Sequence, residues 1–165
     1  MASIHTLAAW GTVDNKVWSE WFRFMREASK RLASPLTHFG IKGEGLGTKD
    51  IRPVDAFQEI QPCIESSIVE WLSGYSLPND FQTAAFDYNI HMNRCASYVS
   101  ISAKEDYSSA LLNDPNSWLT KLRPFCSLKK GALFQMDERE IPLLFVSGSS
   151  SQDSIESFVM LKEFG

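Results

Sequence analysis

DNKVWSEWFRFMREASKRLAS, residues 14–34, is the longest segment of the chain whose apolar residues hold a helical period without a break. Trp18, Trp21, Phe22, Met25, Ser29 and Leu32 fall at i, i+3, i+4, i+7, i+11 and i+14, one stripe of a 3.6-residue helix that only Ser29 dilutes. Glu20, Arg23, Arg26, Glu27, Lys30 and Arg31 lie off the stripe, and Glu27 stands four residues from both Arg23 and Arg31. Phe24 is the outlier on that wet side. Asp14 is placed as an N-cap, basic residues suit the last turn, and Ser34-Pro35 supplies the stop. Burying two Trp, a Phe, a Met and a Leu contributes roughly 1.5–3 kcal/mol each before entropy is counted, so the stripe reads as a wall of the core.

A chain of 165 residues fits a single domain, residues 1–165, with a sizeable core, and 44% hydrophobic residues with 5 Trp and 11 Phe mark a folded protein. The net charge of −4 argues against general nucleic-acid binding, which needs a basic footprint. Cys63, Cys95 and Cys126 are widely spaced and odd in number, which indicates neither a disulfide framework nor a CxxC metal site and suits a reducing compartment. The opening MASIHTLAAWGTV lacks the charged start and long apolar run of a secretory signal, and no apolar stretch approaches about 18 residues. The expectation is a soluble, cytoplasmic protein without membrane contact.

Outward from the helix, Ile4–Trp10 stays open between a short strand and an apolar arm. HFGIKGEGLGTKDIRP, with glycines at 40, 43, 45 and 47, reads as an irregular loop. From Val54 to Ser73, Phe57, Ile60, Ile64, Ile68, Trp71 and Leu72 keep helical spacing, with Gly74 as C-cap and Pro62 as a kink or the junction of two near-collinear helices. The period then changes. Phe86, Tyr88, Ile90 and Met92 alternate with polar residues as a half-buried strand, and Ser97–Ser102 follows closely enough to form an antiparallel hairpin with it. Lys104–Leu112 reads as a short helix, and Asp114-Pro115 opens another through Trp118, Leu119 and Leu122 until Pro124. Ala132–Met136 and Ile141–Ser147 read as strands, and Ile155, Phe158 and Val159 mark a final short helix begun at Asp153. The sum is an α+β fold, a mainly antiparallel sheet of about four strands with N-terminal and shorter helices packed chiefly on one face.

Catalytic signatures are missing from these residues. His5, His38 and His91 are scattered, without the i, i+4 spacing of a helical zinc pair, so no metal or cofactor is expected. His91 precedes Cys95 by four residues, but a Cys–His pair needs a geometry that proximity in sequence does not supply. The glycine order GxxGxGxGTK departs from phosphate-loop spacing, and Glu44 and Asp50 would repel an anion. Glu105-Asp106 and Asp137/Glu138/Glu140 read as ordinary solvated charge in turns and helix starts.

Charge is segregated along the chain. Residues 53–93 contain no Lys or Arg, while Asp55, Glu59, Glu65, Glu70, Asp80 and Asp87 all fall there. The preceding part, Asp14 to Arg52, carries eight basic residues against five acidic. On a helix over 54–73, Asp55, Glu59, Glu65 and Glu70 would lie within about 140° of one another, opposite the apolar side. Such a face suits a basic partner, since complementary fields speed encounter. The alternative, that Arg23, Arg26 or Lys30 of the first helix neutralises it, is equally open.

In size, acidity, Trp content, lack of catalytic motif and helix-then-strand order, the chain resembles the small immunity proteins encoded beside bacterial polymorphic or type VI secreted toxins. The resemblance implies a cytoplasmic, non-enzymatic inhibitor of one cognate protein toxin with a basic surface, a nuclease being one such toxin. Asp55, Glu59, Glu65, Glu70, Asp80 and Asp87 are the contact residues expected from the charge pattern. Two other readings stand beside it: a small enzyme using the glycine loop and His38, and an adaptor or structural subunit of a secretion or phage assembly.

Overall fold

In SIHTLAAWGT, residues Ser3–Thr12, both sets of alternate side chains are apolar or small except for His5, the pattern of a strand covered on both faces. The computed structural model describes residues 2–46 and 51–165 and places this strand, β1, inside a sheet. Among the described residues the sheet has eight strands, twice the number expected from the sequence, and every pairing is antiparallel. The others are β2 (His38–Gly43), β3 (Arg52–Pro53), β4 (Val69–Ser76), β5 (Ile90–Cys95), β6 (Tyr98–Lys104), β7 (Ser127–Asp137) and β8 (Val159–Phe164). Their spatial order is β3-β2-β4-β5-β6-β1-β7-β8. The expected hairpin forms between β5 and β6.

Helix α1, Trp18–Arg31, lies on one face of this sheet, and all six residues of its predicted stripe are buried. Ser29 is no gap in the stripe: its hydroxyl donates to the Arg26 carbonyl at 2.9 Å and accepts from the Leu36 N–H at 2.9 Å, fixing the chain's exit. Phe24 is not on the wet side, since its ring stacks on Trp21 at 5.4 Å and meets Phe125 at 5.3 Å. Asp14 is not the cap. Val17, in the left-handed region at φ 58°, precedes the helix, and the Glu65 carboxylate accepts the Ser19 N–H at 2.9 Å.

The helix expected over 54–73 ends early. α2 spans Phe57–Ile64 after a 3-10 turn at Val54–Ala56, and Pro62 sits in its last turn. Ser66 and Ser67 hydroxyls then donate to the Cys63 carbonyl, the chain reverses, and Val69 enters the sheet between β2 and β5. Ile68, Trp71 and Leu72 thus match the helical period by coincidence; pairing on both sides of β4 overrides it. Gly74 is not a C-cap but a mid-strand residue under α1, where a Cβ would stand 2.8 Å from both Met25 Sδ and Leu36 Cδ1. Only glycine lets the helix come this close.

Further segments depart from expectation. Residues 84–87 form a short helix, α3 (Ala84–Asp87), capped by Thr83, so the alternating strand begins only at Ile90. The strand expected at Ile141–Ser147 is a helix, α6 (Pro142–Val146), with its proline in the first turn. The final helix expected from Asp153 is a 3-10 turn at Gln152–Ser154 followed by a turn, and β8, paired with β7, begins at Val159. Between them, the helix expected over 104–112 is a 3-10 turn at Glu105–Tyr107 followed by α4 (Ser109–Asn113), Lys104 ending β6; α5 (Pro115–Leu122) matches the sequence, and Asp114 caps it by accepting the Ser117 N–H at 3.2 Å. Within the glycine-rich segment, residues 38–43 are β2 rather than loop, while 47–50 lie outside the described residues.

α1, α2, α4 and α5 cover one face, where Leu7, Phe39, Leu72, Met92 and Ile101 meet Trp18, Trp21, Phe57 and Leu119 in one cluster. On the other face, Ile4, Phe134 and Met136 pack beneath α6 and the segments around Tyr88 and Ile155. Among the described residues, no helix is long and apolar enough to cross a membrane.

Candidate functional site

The six carboxylates singled out by charge pattern do not share one surface. Asp55 and Glu59 are exposed, on the 3-10 turn and on α2. Asp55 lines a cleft of about 150 Å³ with Arg23, Arg26, Gln58 and Gln61. No ion pair among the described residues joins the basic side of α1 to Asp55 or Glu59, and Lys30 pairs with Glu27 of its own helix at 3.6 Å. Glu65 serves the start of α1, as described. Glu70 stands on β4, not on a helix, and its carboxylate meets Lys42 at 3.5 Å. The continuous acidic helix face is therefore broken by the turn at Ser66-Ser67.

Asp80 and Asp87 lie elsewhere, where β4 leaves the sheet and β5 enters it. Here a groove of about 560 Å³ opens between the 78–89 segment and the ends of β6 and β7. Among the described residues, Asp80, Asp87, Asp106 and Glu138 line it together, against a single cation, Lys104. Four carboxylates against one ammonium leave three negative charges uncompensated. Lys104 is held in place: Nζ donates to the Phe86 carbonyl at 2.9 Å, stands 3.9 Å from a Glu138 oxygen and lies 5.6 Å above the Tyr88 ring. Asp87 accepts the Gln82 and Thr83 N–H groups at 2.6 and 2.7 Å, and these bonds, Thr83's first, hold its carboxyl below the ordinary value. Phe86, 41% exposed, and Phe81 add apolar surface at the rim.

Asp106 and Glu138 were legible only as solvated charge. Each sits in a local run of acids, Glu105-Asp106 and Asp137-Glu138, and neither run contains a sign that the two would converge. What brings them together is the topology: Ile4 of β1 pairs with Lys104 of β6 on one side and Met136 of β7 on the other. The residues that follow Lys104 and Met136 in sequence therefore emerge side by side.

The groove offers electrostatics and apolar contact. His91 and Cys95 do not form a pair: His91 is buried, its ring stacked 4.7 Å from Tyr75. Burial pushes its pKa down to about 4, so the ring is neutral at pH 7, and Nε2 has no hydrogen-bond partner. Cys63 is exposed and Cys126 buried, with its thiol held up by burial. His38 is bonded to Thr37 at 2.8 Å and packs on Phe81. Among the described residues, no group of three His, Cys, Asp or Glu is placed to hold a metal ion.

No protein-family description matches the chain, and no curated protein matches it in sequence. In structure it is similar to a chain from the crystal structure of the toxic C-terminal tip of CdiA from Pseudomonas aeruginosa in complex with immune protein. That similarity spans 100% of this chain and 98% of the other at 9% identity, with a TM-score of 0.39, too low to establish a shared fold.

Proposed function

We propose that the chain is a non-enzymatic binding protein of the immunity class, which neutralises one cognate protein toxin in the cytoplasm by covering a basic surface. The observation that carries this reading is the groove at the end of the sheet, where Asp80, Asp87, Asp106 and Glu138 face solvent with Lys104 as their one cation and Phe86 exposed beside them. An excess of negative charge around an exposed aromatic gives both halves of a protein interface: long-range steering and an apolar anchor. Asp55, Glu59, Glu65 and Glu70, which share no single face, add to the general field and lie outside the contact. A toxin acting on nucleic acid fits best, because its substrate groove is basic.

The test is coexpression with the product of the adjacent gene. Growth is expected to be restored, and the Asp80→Lys/Asp106→Lys double variant is expected to slow association about 10- to 100-fold at low salt. Glu59→Lys/Glu70→Lys is expected to slow it by less than about threefold, through the general field alone. Unaltered association of the Asp80/Asp106 variant at low salt removes the groove from the contact, and failure to protect removes the immunity assignment.

A further inference from the structure

α1 carries a second stripe beside its core stripe. Phe24, Glu27, Ala28 and Arg31, at i, i+3, i+4 and i+7, face the end of α5 and the turn that follows it. Together with Trp118, Lys121, Pro124 and Phe125 they enclose a cleft of about 400 Å³, within the range of small-molecule pockets. Ala28, 2% exposed, belongs to the floor of the cleft. The cleft's walls are rings: Phe24 and Phe125 stand 5.3 Å apart and tilted by 51°. Trp118 is 4% exposed, and its indole N–H is donated to the Ala110 carbonyl at 3.2 Å.

The polar side chains around these rings are unequal in sign. Lys121 Nζ lies 4.7 Å over the Trp118 ring, and Arg31 is exposed. Among the described residues, neither cation has a carboxylate within ion-pair distance, while the one acid of the cleft, Glu27, is engaged by Lys30 at 3.6 Å. In a chain of net charge −4, the sign is thus reversed at this apolar opening. Aromatic walls beneath two unpaired cations complement a molecule with a flat apolar body and an anionic end.

We propose that this cleft is a binding site for a small aromatic carboxylate, its ring against Phe24, Trp118 and Phe125 and its carboxylate between Arg31 and Lys121. The site shares no residue with the acidic groove and does not depend on the toxin-binding reading.

The probes are 2-naphthoate and its neutral analogue 2-naphthylmethanol, titrated into the full chain and followed by the indole N–H resonance of Trp118. Naphthoate is expected to shift that resonance saturably. The Arg31→Gln/Lys121→Gln double variant, altered only at surface cations, is expected to weaken naphthoate about tenfold, as loss of two exposed ion pairs allows, and to leave naphthylmethanol unchanged. The naphthoate affinity should also fall with added salt while that of the alcohol does not. The proposal is overturned if naphthoate produces no saturable shift, if the variant binds it as the parent does, or if both probes weaken together.

Discussion

The two faces of the sheet are covered in different ways, and the difference tracks the length of the covering pieces. On one face a 14-residue helix, α1, lays a continuous apolar stripe across the strands, and the polar groups caught beneath it are satisfied. The Trp21 N–H donates to the Leu72 carbonyl at 3.0 Å, and Arg94, 1% exposed, donates to the carbonyls of Phe125, Lys16 and Asp14 at 2.9, 2.8 and 3.1 Å. The other face is covered by α6, of five residues, and by irregular segments. There Phe134, Phe145 and Phe158 form an aromatic patch, while Thr6, Ser73, His91, Asn93, Ser100 and Ser102 leave the neighbouring strands polar. Two buried atoms on this side, His91 Nε2 and Ser100 Oγ, have no partner. The face under the long amphipathic helix keeps its buried polar side chains Arg94 and His5 bonded, whereas the face under short covers carries more buried polar residues, and among the described residues two of their atoms have no partner.

The sharpest break of this contrast is Trp21→Ala against Phe145→Ala. The first removes a ring that is 0% exposed and is expected to cost about 4 kcal/mol; the second, on a half-buried ring, about 1–2 kcal/mol. Equal losses in urea denaturation would erase the distinction between the faces. Next is Arg94→Met, which keeps the stem but strands three carbonyls, expected to cost about 3 kcal/mol. Burial pushes the Arg94 pKa down only to about 10, so the guanidinium is charged at neutral pH and its 4.3 Å approach to the Trp18 ring is a cation–π contact. The smallest effect at pH 7 is expected from His91→Phe, within about 1 kcal/mol of the parent, because the substitution removes an unpartnered nitrogen. The signature of His91 lies in the pH profile. Its folded pKa of about 4 is below the ordinary 6.5, so the unfolded chain takes up a proton that the folded chain refuses. Stability is therefore complete above about pH 6.5 and falls, by roughly 3 kcal/mol, as the pH drops towards 4. His91→Phe should flatten that part of the curve, and an unchanged profile would show that His91 is not the group responsible.

The same contrast explains what was legible in the sequence. α1 could be read because it contacts one surface, so its period survives in the residues. β1 could not, because neighbours cover both its faces and the alternation vanishes into IHTLAAW. β4 was misread because Ile64, Ile68, Trp71 and Leu72 continue a helical stripe across a turn that only sheet pairing enforces. At Pro142 the information was present: a proline in the first turn opens a helix as readily as it marks an edge strand. Of the groove, Asp80 and Asp87 stood out by the absence of nearby cations. Asp106 and Glu138 join them through pairing across β1, which local patterns do not encode.

That pairing also bears on how the chain reaches its fold. β1 stands between β6 and β7, with Ile4 opposite Lys104 on one side and Met136 on the other. Neither neighbour can be met without closing a loop of roughly a hundred residues, an entropy cost that precedes any reward from the ladder. The seam that β1 makes with β6 and β7 is therefore expected to form after the local β5-β6 hairpin, and folding is expected in the millisecond-to-second regime of non-local β proteins. Until residues near 100 and 130 arrive together, β1, whose middle residues 4–9 become buried, has neither of its sheet neighbours.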